Sequence, residues 1–119
     1  MSKYNINTIN YVIASVCKVM SISVDALHSE SRERYLVTAR RMVAYVLTKV
    51  YCLRNTNISS ITDLFNGNMQ YVVKNGNDFR RMMSLDSNLV NKCQLAIMLT
   101  DMRLLGAEYY DRACSMIKI

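Results

Sequence analysis

The sequence predicts an all-α domain of five to six helices. Three observations carry that prediction. The 119 residues contain no proline and only three glycines, whereas strand-and-turn architectures usually need more of both. Hydrophobic residues make up 51% of the chain, enough for one core at this length. Apolar residues also recur at three-to-four spacing through most of the sequence. No linker, repeat or low-complexity tract divides the chain, so residues 1–119 read as a single domain.

Each element has its own signal. A first helix is predicted from about Thr8 to Met20, where Ile9, Val12, Ile13, Val16, Cys17 and Met20 share one face. Ser23 is placed to cap a short helix carrying Val24, Ala26 and Leu27. A third helix starts near Ser31 or Arg32 and runs to about Cys52. Its core stripe is Leu36, Ala39, Val43, Val46, Leu47 and Val50, which puts Arg34, Thr38, Arg41, Tyr45 and Thr48 on the opposite face. "SSITDLF", residues 59–65, reads as another short helix with Ile61, Leu64 and Phe65 facing inward. "NGN", residues 66–68, follows: Gly67 suits the left-handed conformation that ends a helix, and Asn68 suits the cap of the next.

That next helix, about 68–83, turns Met69, Val72, Val73, Gly76, Phe79 and Met83 inward. Gln70, Tyr71, Lys74, Asn75, Asn77 and Arg81 face outward. Two helices joined by so short a glycine turn are the sequence form of a helix-turn-helix. A further helix begins near Ser87 with Leu89, Val90, Cys93, Ala96 and Ile97 inward, and Leu104 at its end. A tail helix is expected to set Tyr109, Ala113, Met116 and Ile117 on one side.

Composition narrows the function. No apolar run is long enough to cross a membrane, and "MSKYNINTIN" lacks the apolar stretch of a secretory signal. Cys17, Cys52, Cys93 and Cys114 form no CxxC pair, and their apolar settings read as reduced core thiols in a cytoplasm-like compartment. His28 is the only histidine and has no nearby acid or thiol cluster. A metal site, a cofactor site, a small-molecule substrate and His-based catalysis are therefore not expected. No GxxxxGK[ST] motif occurs, which excludes a P-loop ATPase. Of the net charge of +6, residues 29–54 carry +4. Charge concentrated in this way points to a polyanion. The plain alternative is a solvated helix start, partly neutralised by Glu30 and Glu33.

The stretch "ISVDALHSESRERYLVTARRMVAYVL" resembles the DNA-binding C-terminal domain of the bacterial replication initiator DnaA. Ser29, Arg32, Arg34, Ala39, Arg40, Met42 and Tyr45 fit that family's S-x-x-R-x-R and A-R-x-x-A-x-Y-L patterns in register. Ile61, Phe65 and Gly67 are similar to its I-x-x-x-F-G-G segment. The resemblance covers residues 8–100 and leaves 101–119 as a helical extension. It implies a helix-turn-helix fold of the DnaA domain IV or Trp-repressor type, acting on double-stranded DNA in replication or transcription control. A bacterial cell or a phage-infected host is the implied setting. The family's R-D-H-T-T-V motif is replaced here by Asn68, Met69, Gln70, Tyr71, Val72 and Val73, so only the final valine is kept.

Candidate DNA contacts follow. By the resemblance, Arg32 and Arg34 lie in a basic loop that holds the backbone or reaches the minor groove, with Arg40 and Arg41 one to two turns on. Arginine suits this because its planar guanidinium binds phosphate bidentately and keeps its charge. On the second helix, Asn68, Gln70, Tyr71, Lys74 and Asn75 are the candidate readers. Gln and Asn pair with adenine edges, and Lys serves guanine or phosphate. Roughly four to six phosphate contacts predict a log–log salt slope of about −4 to −5. The competing reading is a protein-interaction or virion module that kept the fold and lost DNA readout. A homodimer through the C-terminal helix is the other expected partner.

Overall fold

The computed structural model describes residues 6–53 and 69–106. Among these residues every regular element is helical. Helix α1 spans Ile6–Met20, α2 Val24–His28, α3 Arg34–Tyr45, α4 Met69–Leu85 and α5 Ser87–Leu105; α3 runs directly into a π-helical segment, Val46–Val50. The expected helix at 59–65, the "NGN" turn with Asn68, and the tail helix with Cys114 lie outside the described residues.

Helix α1 buries Ile9, Val12, Ile13, Val16 and Cys17, the face its spacing predicts. It stops where Ser21 turns to φ +56° and the Ile22 N–H bonds the Cys17 carbonyl at 3.0 Å. That six-to-one bond closes the helix end. Ser23 then caps α2, its hydroxyl accepting from the Ala26 N–H at 3.0 Å. Leu27 drops from this short helix into the core.

Helix α3 begins at Arg34, two to three residues later than its periodicity suggests. The cause is local. The Ser29 hydroxyl accepts from the Ser31 N–H and the Ser31 hydroxyl from the Glu33 N–H, both at 3.3 Å. Such bonds offer the backbone an alternative to helix.

The one-stripe reading of α3 needs correction. Leu36, Ala39, Val43, Val46 and Leu47 are buried as expected, but so are Thr38, Met42 and Ala44. Helix α3 is the central element, packed on α1 along one side and on α4 along the other. The face assigned to solvent is the one that meets α4. The Tyr45 and Phe79 rings lie 5.6 Å apart. Gly76 sits so close to α3 that a Cβ there would come 3.0 Å from Thr48 Oγ1 and 3.5 Å from the Ala44 carbonyl oxygen.

The π-helical turn resets the register after α3. Tyr51 is buried, and its hydroxyl donates to Asp101 of α5 at 2.5 Å. Cys52 takes φ +52° just beyond this turn and is exposed. The expectation that it is a core thiol is therefore corrected: the left-handed position at a helix end points outward. Cys17 and Cys93 are buried as read from the sequence.

Helix α4 buries Val72, Gly76 and Phe79, with Met69, Met82 and Met83 packed at the edge of the core. Val73 was expected inward but is 43% exposed. It stands about 100° from the Val72–Gly76–Phe79 line, beyond the reach of the core. Helix α5 is capped by Asp86, whose carboxylate accepts from the Asn88 N–H at 2.9 Å. It buries Cys93, Ala96, Leu99 and Thr100 against α1. There the Thr100 hydroxyl is within 3.0 Å of the buried Ser15 hydroxyl and 2.8 Å of the Ala96 carbonyl, which satisfies a polar pair in an apolar seam.

Candidate functional site

The basic segment divides into two kinds of arginine. Arg32 and Arg34 are exposed, Arg32 in the loop before α3 and Arg34 as the first residue of that helix. Arg40, one and a half turns into α3, is committed to the protein's own backbone. Its Nε donates to the Leu27 carbonyl at 2.8 Å, Nη1 to Ser31 at 2.7 Å, and Nη2 to Ser29 at 2.7 Å and Ala26 at 3.5 Å. The acceptors are the end of α2 and the loop that carries Arg32. Only a guanidinium has donors in a fork wide enough to bridge them.

Helix α3 opens without a side-chain cap: the Glu33 carbonyl accepts from the Leu36 and Val37 N–H groups at 3.0 Å, but its carboxylate makes no hydrogen bond to the helix. The positive end of the helix dipole therefore lies beside Arg32 and Arg34 rather than against a carboxylate of its own first turn. The two guanidiniums and the helix end favour an anion here, and the exposed Glu30 and Glu33 carboxylates oppose it.

The second cluster lies along α4. At 100° per residue, Gln70, Lys74, Asn77, Arg81 and Ser84 fall within an arc of about 80°. All five are exposed, as is Arg80 at the flank. Together they form a polar stripe over four turns, and Asn77, Arg80, Arg81 and Ser84 also line a shallow open depression.

One carboxylate interrupts it. Asp78 accepts from Arg81 at 2.6 Å and lies 4.0 Å from both Lys74 and Arg41. Three cations share a single anion, so the cluster keeps a positive surplus. Arg41 is wedged between α3 and α4 with its Nη1 3.5 Å from the Met82 sulfur, and its side chain is only 32% exposed.

The remaining candidates fall as follows. Gln70 and Lys74 are exposed, and Tyr71 is 44% exposed. Asn75 is half-buried, and its amide donates to the Tyr71 carbonyl at 2.7 Å. Asn68 is outside the described residues. Arg80 and Arg81 were not among the expected contacts, although the doublet "RR" and the exposed register of Arg81 were both legible.

The course of the two helices sets which ends of the clusters lie together. Arg41 pairs with Asp78 and Met82, while Thr48 and Ala44 approach Gly76, so α3 and α4 run in opposite directions across their contact. Arg34 therefore lies towards the Arg81–Ser84 end of α4. Gln70 is at the far end, about 17–21 Å from Arg81 and Ser84 along the axis at 1.5 Å per residue.

Among the described residues, no group of three or more His, Cys, Asp or Glu side chains comes together, and no helix is long and apolar enough to cross a membrane. Burial pushes the Cys17 and Cys93 thiols up to about 11, which keeps both protonated and unreactive at neutral pH. His28 ends α2 at the surface. Comparison with protein-family models, curated proteins and solved structures finds no match.

Proposed function

We propose that this domain binds double-stranded DNA, with the outer stripe of α4 laid against the duplex and Arg32 and Arg34 holding flanking backbone. The observation that carries the reading is the stripe: five exposed polar side chains in line, flanked by Arg80, with one carboxylate shared among three cations. Lys74, Arg80 and Arg81 suit phosphates, and Gln70 and Asn77 suit base edges.

The DnaA-like helix-turn-helix belongs to the same proposal. In it α4 is the recognition helix, and the role is control of replication or transcription in a bacterial cell or phage-infected host. Catalysis and a cofactor have no part in it.

Fluorescence anisotropy of a labelled duplex tests the stripe. The double variant Lys74→Gln, Arg81→Gln is expected to lose about two units of salt slope and about tenfold or more in affinity at moderate salt. Lys92→Gln on α5, an exposed lysine away from the stripe, is expected to bind like the parent. A double variant that binds as well as the parent contradicts the docking.

A second reading has its own support. Tyr71, Val73 and Leu85 are apolar or aromatic and exposed at 44%, 43% and 89% on this same helix. A protein-interaction or virion module would use them, and it predicts a protein complex that Val73→Asp and Leu85→Asp abolish, with DNA binding weak and blind to sequence.

A further inference from the structure

We infer that Arg40 is a positioning residue: it clasps the 29–33 loop through that loop's own carbonyls, so that Arg32 and Arg34 stand preformed as an anion-gripping pair. The inference rests on the DNA-binding reading and adds to it how the basic loop is built. Four hydrogen bonds from one guanidinium reach Ala26, Leu27, Ser29 and Ser31. The serine hydroxyls hold the N–H groups of Ser31 and Glu33 from within. The loop is thus held from both sides, with Arg40 on the Ser29 and Ser31 carbonyls and the Ser29 and Ser31 hydroxyls on the Ser31 and Glu33 amides. The cations left for a ligand are Arg32 on the loop and Arg34 at the start of α3, both exposed, with the exposed Glu30 and Glu33 carboxylates as their neighbours in the chain.

The charge arrangement supports the same role. Arg40 is balanced by carbonyl dipoles, and among the described residues no carboxylate is bonded to it. Burial first, and the Arg32 charge second, hold its guanidinium below the usual arginine range. It stays protonated at neutral pH, and the cost of holding Arg32 beside it is relieved when a phosphate arrives at Arg32. A free loop of five residues would have to be ordered on binding, and the clasp makes that ordering part of the fold.

Arg40→Lys separates this from a direct contact, because it keeps the charge and loses the fork. Affinity for a labelled duplex would be measured in four proteins: the parent, Arg40→Lys, the pair Arg32→Ala with Arg34→Ala, and the triple variant. Arg40→Lys is expected to weaken the parent about tenfold, the scale of ordering one or two residues. It is expected to change nothing once Arg32 and Arg34 are gone. Amide exchange at Ser31 and Glu33 should accelerate in Arg40→Lys while α1 and α5 keep their protection. Equal losses in both backgrounds would overturn the role, since Arg40 would then meet DNA itself or act through the whole fold. An unchanged affinity despite faster loop exchange overturns it as well.

Should Arg40→Lys fail to fold, the double variant Ser29→Gly, Ser31→Gly loosens the same loop without touching a charge. It must show the same dependence on Arg32 and Arg34. A parent that binds no duplex at any salt sinks the DNA reading and the positioning role together. Faster loop exchange in Arg40→Lys would then mark the clasp as structural alone.

Discussion

Gly76 shows how one missing Cβ sets the distance between two helices. A methyl group there would meet Thr48 Oγ1 at 3.0 Å, and that hydroxyl is held by a 2.7 Å bond to the Ala44 carbonyl, so it cannot swing away freely. Glycine inside a helix costs about 1 kcal/mol relative to alanine, so two effects oppose each other here. Gly76→Ala alone is expected to be neutral or destabilising in urea unfolding. In a Thr48→Ala background the same change should stabilise by about 1 kcal/mol, because only the helix propensity is left. Equal effects in both backgrounds would mean that the Thr48 contact does not set the spacing. At the same scale, Arg40 and Arg32 carry the same charge and do different work. Composition treats them alike, and what separates them is the supply of carbonyls within reach.

Single elements explain what the sequence could and could not tell. Helix α1 was legible almost residue by residue, because it has one buried face and its apolar spacing names that face. The Ser23 cap was legible for the same local reason. Helix α3 was half legible. It touches α1 on one side and α4 on the other, and a helix buried on two sides has no single stripe to find. Thr38 and Tyr45 were misread as solvent-facing because threonine and tyrosine are tolerated both in seams and at surfaces.

The stripe on α4 was visible in part. Gln70, Lys74, Asn77 and Arg81 fall outward by their spacing, whereas Arg80 and Ser84 extend the stripe at the end of the helix away from the first turns, where a recognition helix usually reads bases. The opposite course of α3 and α4 depends on long-range packing, which no local pattern encodes. That course moves the emphasis of the proposed interface from Gln70 and Tyr71 towards Arg80 and Arg81, the end nearer Arg34.

Charge and burial act together in the whole molecule. The positive excess sits on α3 and α4, with Arg32 of the leading loop standing between Glu30 and Glu33, while the α1–α5 seam is closed by small and apolar side chains and the Ser15–Thr100 pair. Two thiols in that core make a prediction for stability against pH. Burial raises the Cys17 and Cys93 thiols from an ordinary 9.0 to about 11 in the folded protein. Below pH 9 both folded and unfolded chains keep these protons, and the stability is fully present. Above it the unfolded chain ionises first, so stability declines as the pH rises towards about 11, by on the order of 1–2 kcal/mol per thiol at pH 10.5. Urea midpoints at pH 8 and 10.5 check this. The drop should shrink in Cys93→Ala, and an unchanged drop would place the pH sensitivity in other groups.

The central claim concerns the same molecule as a polyanion binder, and its salt dependence tests it most directly. A duplex would be titrated with the parent protein by anisotropy across a range of salt concentrations. Roughly four to six phosphate contacts along α4 and the Arg32–Arg34 loop predict a log–log slope of about −4 to −5. An affinity that stays flat with salt, or no binding at the lowest salt, would contradict the account and turn attention to a protein partner at Val73 and Leu85.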